Sequence, residues 1–280
     1  MFVTSNRAFF SLAALFFAVV AALVINHQSA IGQTDAANER AGAAARSSDK
    51  RVLIEPYTGP PIMLDEKRVV VAPTIVGREP HTDKFPDGKT RVERQIARYS
   101  DDHREADGFY REFYPNGNKF IEGQYRQGRQ DGEWSYYFEN EQLNRKITYQ
   151  SGRLHGQWDN FRADGTLAAK RSYENGLRHG VWQTYDAAGK QILQEENYVK
   201  GKPDGTAKEW FPSGQLKLQI GIKDGKRHGP TMQWDDKGNK IVDLNYVEDK
   251  LDGTATSVRP DGTKTIQEYK NGLLVSEKKG

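Results

Sequence analysis

"ENGLRHGVWQTYDAAGK", residues 174–190, holds three glycines, a histidine, a tryptophan and a tyrosine in seventeen positions. Taken alone it suggests chemistry. His179 with Asp186 has the residue types of a general base or a metal site, and Gly176 with Gly180 those of a phosphate-cradling loop. Set against the rest of the chain, the stretch is one period of a repeat. Asp or His followed by Gly recurs as Asp107-Gly108, Asp131-Gly132, His155-Gly156, His179-Gly180, Asp204-Gly205, His228-Gly229 and Asp252-Gly253, spaced by 24 residues with a single 25. Such a period is read before any site.

Columns hold within the period. Two residues after the glycine stand Tyr110, Trp134, Trp158 and Trp182, then Ala207, Thr231 and Ala255. Five after it stand Phe113, Tyr137, Phe161, Tyr185, Trp210, Trp234 and Val258. A tyrosine column follows (Tyr125, Tyr149, Tyr173, Tyr198, Tyr246, Tyr269, with Ile222 in the fifth unit), and three residues later a glycine that only Asp249 replaces. Each unit thus has two runs of six to eight residues between turn signals such as "PNG", "ADG" and "PSG". That is the layout of a β-hairpin. In "TLAAKRSY", Leu167, Ala169, Arg171 and Tyr173 share one strand face. The first run is less regular, because the +2 and +5 columns differ in parity. A bulge re-aims one ring, or one ring faces each side.

A lone hairpin cannot bury its apolar face, so the units must stack. The expectation is an all-β chain: an elongated array of stacked antiparallel β-hairpins in one twisted sheet, with a partial unit plus seven full units over residues 85–275. Open edges are a liability, and the N-terminal flank and the polar "VSEKKG" tail are the candidate caps.

The unit, in forms such as "DGEWSYYFENEQLNRKITYQSGRLHG", resembles the MORN repeat in its bacterial variant: Gly-x-Trp, an aromatic, a turn glycine, Tyr-x-x-Gly and a closing His-Gly or Asp-Gly. The resemblance covers residues 85–275. It departs at Glu141 and Asp249, where glycine is missing, and in units five to seven, where the +2 ring is lost. It implies stacked hairpins and a role in protein contacts, with membrane-lipid contacts in some relatives. Some proteins with this repeat are catalogued as antitoxin-like.

Upstream, Arg7 precedes the apolar run "FFSLAALFFAVVAALVI" (9–25) and then a small-residue stretch. Residues 1–32 are expected to be a secretory signal peptide or, uncleaved, a signal anchor. That places the chain outside the cytoplasm, in the periplasm, cell envelope or medium. Residues 33–50, rich in Ala, Ser and charge, read as a flexible linker, and 51–84 as a proline-interrupted extended segment and candidate N-terminal cap.

Composition narrows the function classes. With 36% hydrophobic and 28% charged residues, a thick core is not expected, while 11% aromatics argue against disorder. The net charge of +3 comes from interspersed signs, unlike the basic footprint of a nucleic-acid binder. No cysteine is present, which removes thiolate metal sites and cysteine nucleophiles. His155, His179 and His228 share their column with Asp, so they read as structural corners, and no metal or cofactor is expected. His27, His81 and His103 have no visible partners. The acidic pairs Asp235-Asp236 and Glu195-Glu196 read as solvated charge. No nucleophile, base and orienter assemble, so no catalysis is expected.

The sequence reading is an exported, non-catalytic scaffold for a protein partner. The alternative is a module for envelope polysaccharide or lipid head groups, and the third reading an antitoxin or immunity role. The structural aromatics that could form a binding face are Trp134, Trp158, Trp182, Phe113, Tyr137, Phe161, Tyr185, Trp210 and Trp234.

Overall fold

The computed structural model describes residues 72–279. The signal-like run, the linker and the proline-broken stretch as far as residue 71 lie outside the described residues. Twenty strands run from β1 (Ile75–Lys84) to β20 (Leu273–Lys279), with no helix among the described residues. Every pairing is antiparallel and joins strands that are consecutive in sequence or separated by one two-residue strand, in one open sheet built of hairpins. The all-β hairpin array expected from the period is the fold.

Two turn types alternate along it, and each follows from its residues. Asn175 and Gly176, with φ of 52° and 84°, join Glu174 to Leu177. This is a two-residue type I′ turn, whose twist matches that of the flanking strands and which needs positive φ at both centres. The same geometry recurs at each Tyr-x-x-Gly, and the Glu248–Asp249 turn adopts it without glycine (φ 48° and 66°). At the other end of each unit lies a three-residue loop, enlarged by one residue in the fourth unit. In the second unit Glu141 N–H donates to Phe138 O at 3.0 Å, and Phe138 N–H to Gln142 O at 2.8 Å. Glu141 holds φ 66° where other units place glycine.

The Asp/His-Gly pairs are not corners, contrary to their reading from sequence. Four of them lie within a strand, and at His179, Asp204 and Asp252 the strand breaks for one residue and resumes at the glycine. His179 separates β9 (Leu177–Arg178) from β10 (Gly180–Tyr185), both paired with β8 (Leu167–Glu174), and Gly180 opens β10 with φ 72°. His179 N–H still donates to Ser172 O at 3.0 Å across the gap. In the third unit the strand runs on through the pair, with a register shift between Ile147 and Tyr149 on its partner. A glycine followed by a good strand sequence therefore marks a kink here, not a chain reversal.

The parity question has a two-part answer. A second register shift falls between the +4 and +5 residues, for example Asn160/Phe161 and Thr184/Tyr185. The +5 ring also lies on the face opposite the +2 ring. The Tyr185 hydroxyl donates to Gln183 Oε1 two residues back on its own strand at 2.8 Å, and Tyr137 hydrogen-bonds Glu122.

The core occupies the +2 face. Trp134 is 1% exposed, and Trp158, Trp182, Tyr173, Tyr198, Ile147, Ile220, Val242 and Tyr246 are buried with it. Ring centroids link Tyr110 to Trp134 (5.5 Å), Trp134 to Tyr149 (6.2 Å), Tyr173 to Trp182 (5.2 Å) and Trp182 to Tyr198 (5.1 Å). Edge and tilted contacts at these spacings add to the gain from burial. Gly123 is required beneath this ladder, since a Cβ there would lie 2.3 Å from the Trp134 ring.

At the ends, β1 pairs only with β2 (Thr90–Tyr99) and carries Pro80, a residue that edge strands tolerate. β20 pairs with β19 (Lys264–Lys270) and is exposed along its whole length.

Candidate binding faces

The aromatic columns named from the sequence divide between two environments. Trp134, Trp158 and Trp182 are inside the ladder. Trp134 Nε1 donates to Gln124 O at 3.1 Å and Trp182 Nε1 to Ser172 O at 3.0 Å, while the Trp158 indole N–H is buried without a partner. Arginines lie over these rings: Arg178 Cζ is 4.5 Å from the Trp182 centroid, and Arg171 is 5.2 Å from Trp182 and 6.0 Å from Trp158. A cation so placed is attracted by the ring face while its stem adds cover.

Phe113, Tyr137, Phe161, Tyr185, Trp210 and Trp234 are half-buried on the opposite face. Mixed-sign pairs accompany them: Lys119–Glu122 at 2.7 Å, Lys146–Glu133 at 2.8 Å, Lys208–Glu195 at 3.9 Å and Lys240–Asp243 at 2.9 Å. Burial, then the Glu122 carboxylate, pushes the Tyr137 hydroxyl up to about 12, so this tyrosine is a neutral donor at physiological pH. This face offers rings, hydroxyls and paired charges in rows, with no excess of one sign.

The residues that suggested chemistry have structural work. Asp107, Asp131, Asp204 and Asp252 each accept the N–H of the first central residue of the type I′ turn ahead: Gln127 at 3.0 Å, Ser151 at 3.2 Å, Asp224 at 3.0 Å and Asn271 at 3.0 Å. At Asp107 burial opposes the charge, but the Gln127 amide and the Arg78 guanidinium outweigh it and hold the carboxyl below its usual range. Histidine in this column behaves differently. His155 and His179 bury Nδ1 without a hydrogen bond, and the His179 nitrogen stands 3.4 Å from Glu174 Oε2 outside hydrogen-bond geometry. Sequence reasoning treated Asp and His as interchangeable and missed the cap. The signal for it was the offset of about 20 residues between each Asp and the next turn.

The acidic pairs separate. Asp235 Oδ1 accepts from Lys237 and Asn239 N–H within its loop, whereas Glu195 faces Gln183 and Glu196 receives the Tyr198 hydroxyl. Among the described residues no three His, Cys, Asp or Glu side chains converge as a metal site would require.

Comparison with known proteins adds the family. No significant match was found among curated proteins. The family model described as the MORN repeat variant matches residues 107–127, 130–151 and 203–224. These stretches fall on the first, second and fifth units, each taking in the second strand of a hairpin and the start of the turn that follows it. Three of the seven units thus match the MORN repeat variant.

Proposed function

We propose that this chain is an exported, non-catalytic scaffold whose +5 face binds a protein partner. The observation that carries the reading is the column of half-buried rings, Phe113 through Trp234, that repeats once per unit beside paired charges. Aromatic rings that keep part of their area in water, rimmed by both signs of charge, have the composition of a protein interface. Interspersed charge disfavours a nucleic acid, whose phosphates call for one sign. Export rests on the apolar run at residues 9–25 behind Arg7.

The test uses the full chain as bait in its native cells, beside a Phe161→Ala/Tyr185→Ala variant and a Lys264→Ala variant near the far edge. One protein retained by the native chain and by the edge variant, but lost from the double variant, supports the reading. Turnover of glycosides, esters or peptides by the purified chain, abolished by changing one acid, overturns it. A reporter enzyme active only outside the cytoplasm, fused after residue 50, tests the export step.

A further inference from the structure

The period breaks once, with 25 residues between Gly180 and Gly205. The extra residue lies in the loop of the fourth unit, where Asp186 N–H reaches Gln191 O; in the third unit the corresponding bond joins Arg162 N–H to Thr166 O. In the first and third units the residue that follows the +5 ring bridges to the next unit, whereas Asp235 of the sixth unit accepts only within its own loop. The Tyr114 hydroxyl donates to Tyr137 O at 2.9 Å, and Arg162 Nη2 donates to Tyr185 O at 2.9 Å. In the fourth unit this position is Asp186, which is short and, when ionised, only an acceptor. Its carboxylate turns back onto its own loop and accepts from Lys190 and Gln191 N–H at 2.8 and 3.1 Å. Asp186 therefore makes no bridge from the fourth unit to the fifth.

A cavity of about 320 Å³ lies at that junction, lined among others by Thr184, Gln194, Glu209, Trp210, Phe211 and Lys217. Its size is at the small end for ligand sites, suited to one ring and not to a dinucleotide. Its charges cancel in place. Lys217 Nζ is 2.7 Å from Glu209 Oε1 and 5.8 Å from the Phe211 centroid. The Thr184 hydroxyl donates to Gln194 Oε1 at 3.2 Å. The wall thus combines aromatic surface with a hydroxyl, a carboxamide and a neutralised ion pair. A phosphate would need uncompensated positive charge, and a cation uncompensated negative charge. A ring with hydroxyls at its rim and C–H groups on its face needs neither.

We propose that this junction cavity binds one pyranose ring of a neutral sugar, with Gln194 and Glu209 meeting its hydroxyls and Phe211 its C–H face. The proposal stands on the cavity and the chemistry of its lining and does not depend on the protein-scaffold reading. The full chain is titrated with maltotriose and with tri-N-acetylchitotriose, following tryptophan fluorescence and saturation-transfer NMR, with inorganic phosphate as the charged control. At least one trisaccharide binds saturably and independently of salt. Gln194→Ala weakens it about tenfold or more, the loss of a hydrogen-bonding group with its partner left buried. Thr184→Phe, which fills the cavity, abolishes it, and thermal melts of both variants report folding. If Thr184→Phe does not fold, Gln194→Ala decides. Absence of binding for both sugars, unchanged affinity in Gln194→Ala, or saturable phosphate binding at the same site overturns the proposal.

Discussion

The two halves of the array solve one packing problem with different residues. In units two to four the +2 position is tryptophan, facing Ile147, Arg171 and Glu196 across the strand pair. In units five and six it is Ala207 or Thr231, facing Ile220 and Leu244. In these two units the partner is aliphatic and the core is carried by Ile220, Val242 and Tyr246. Where it is Trp, the partner may be charged, because the ring covers the polar side chain. The backbone constrains the filled volume of the cross-strand pair more than the identity of either member.

Alkali should collapse the ring-rich half outright, the largest of the expected effects. Burial raises the hydroxyl pKa of Tyr110, Tyr125, Tyr149 and Tyr198 above the ordinary tyrosine value of 10.0. The folded form therefore holds protons that the unfolded form releases, so the stabilisation is full below pH 10 and falls as pH rises through the folded values. Tyrosinate absorbance should appear together with loss of the β-sheet signal above that pH. Tyrosinate forming with the sheet intact would mean that the ladder is open to water.

Trp134→Ala should cost about 3–5 kcal/mol in denaturant melts, since a fully buried ring leaves a cavity between Tyr110 and Tyr149. Ala207, at the same column, shows that the backbone accepts alanine, so a small loss would mean that neighbours refill the space as they do in the fifth unit.

Asp204→Ala should cost about 1 kcal/mol by freeing the Asp224 N–H. His179→Asp should instead gain up to about 1 kcal/mol, because the carboxylate can reach the Lys200 turn as its counterparts reach theirs. Equal effects of opposite substitutions on the melting temperature would confirm a turn cap. A loss for His179→Asp would show that histidine makes a contact of its own.

The smallest effect separates two sites that lack glycine. Glu141→Gly should gain about 0.5–1 kcal/mol by relieving a left-handed backbone. Asp249→Gly should lose stability despite the same φ, because Asp249 Oδ1 accepts from Arg227 N–H at 3.0 Å and Arg227 Nε at 3.1 Å. A gain at both positions would mean that the Arg227 contacts contribute nothing.

Much of this was legible without coordinates, and the exceptions have physical causes. The hairpins and their stacking follow from the period, because repeated spacing and strand alternation are local properties. The Asp/His-Gly pairs were misread as corners, since glycine with positive φ serves bulges and turns alike and only pairing to a neighbour tells them apart. The Asp caps were overlooked because donor and acceptor lie about 20 residues apart. The single 25-residue interval was visible, but a spacing does not say whether an inserted residue bulges outward or leaves a gap.

The sequence by itself determined the unit, its length, its turn residues and the existence of a ring ladder, because each depends on contacts within one hairpin or its identical neighbour. Only the tertiary structure decided which face each ring takes and that Asp caps a turn where His does not. It also placed a cavity between the fourth and fifth units. Those outcomes depend on register shifts and side-chain reach between strands, and one displaced residue changes both the face and the partner.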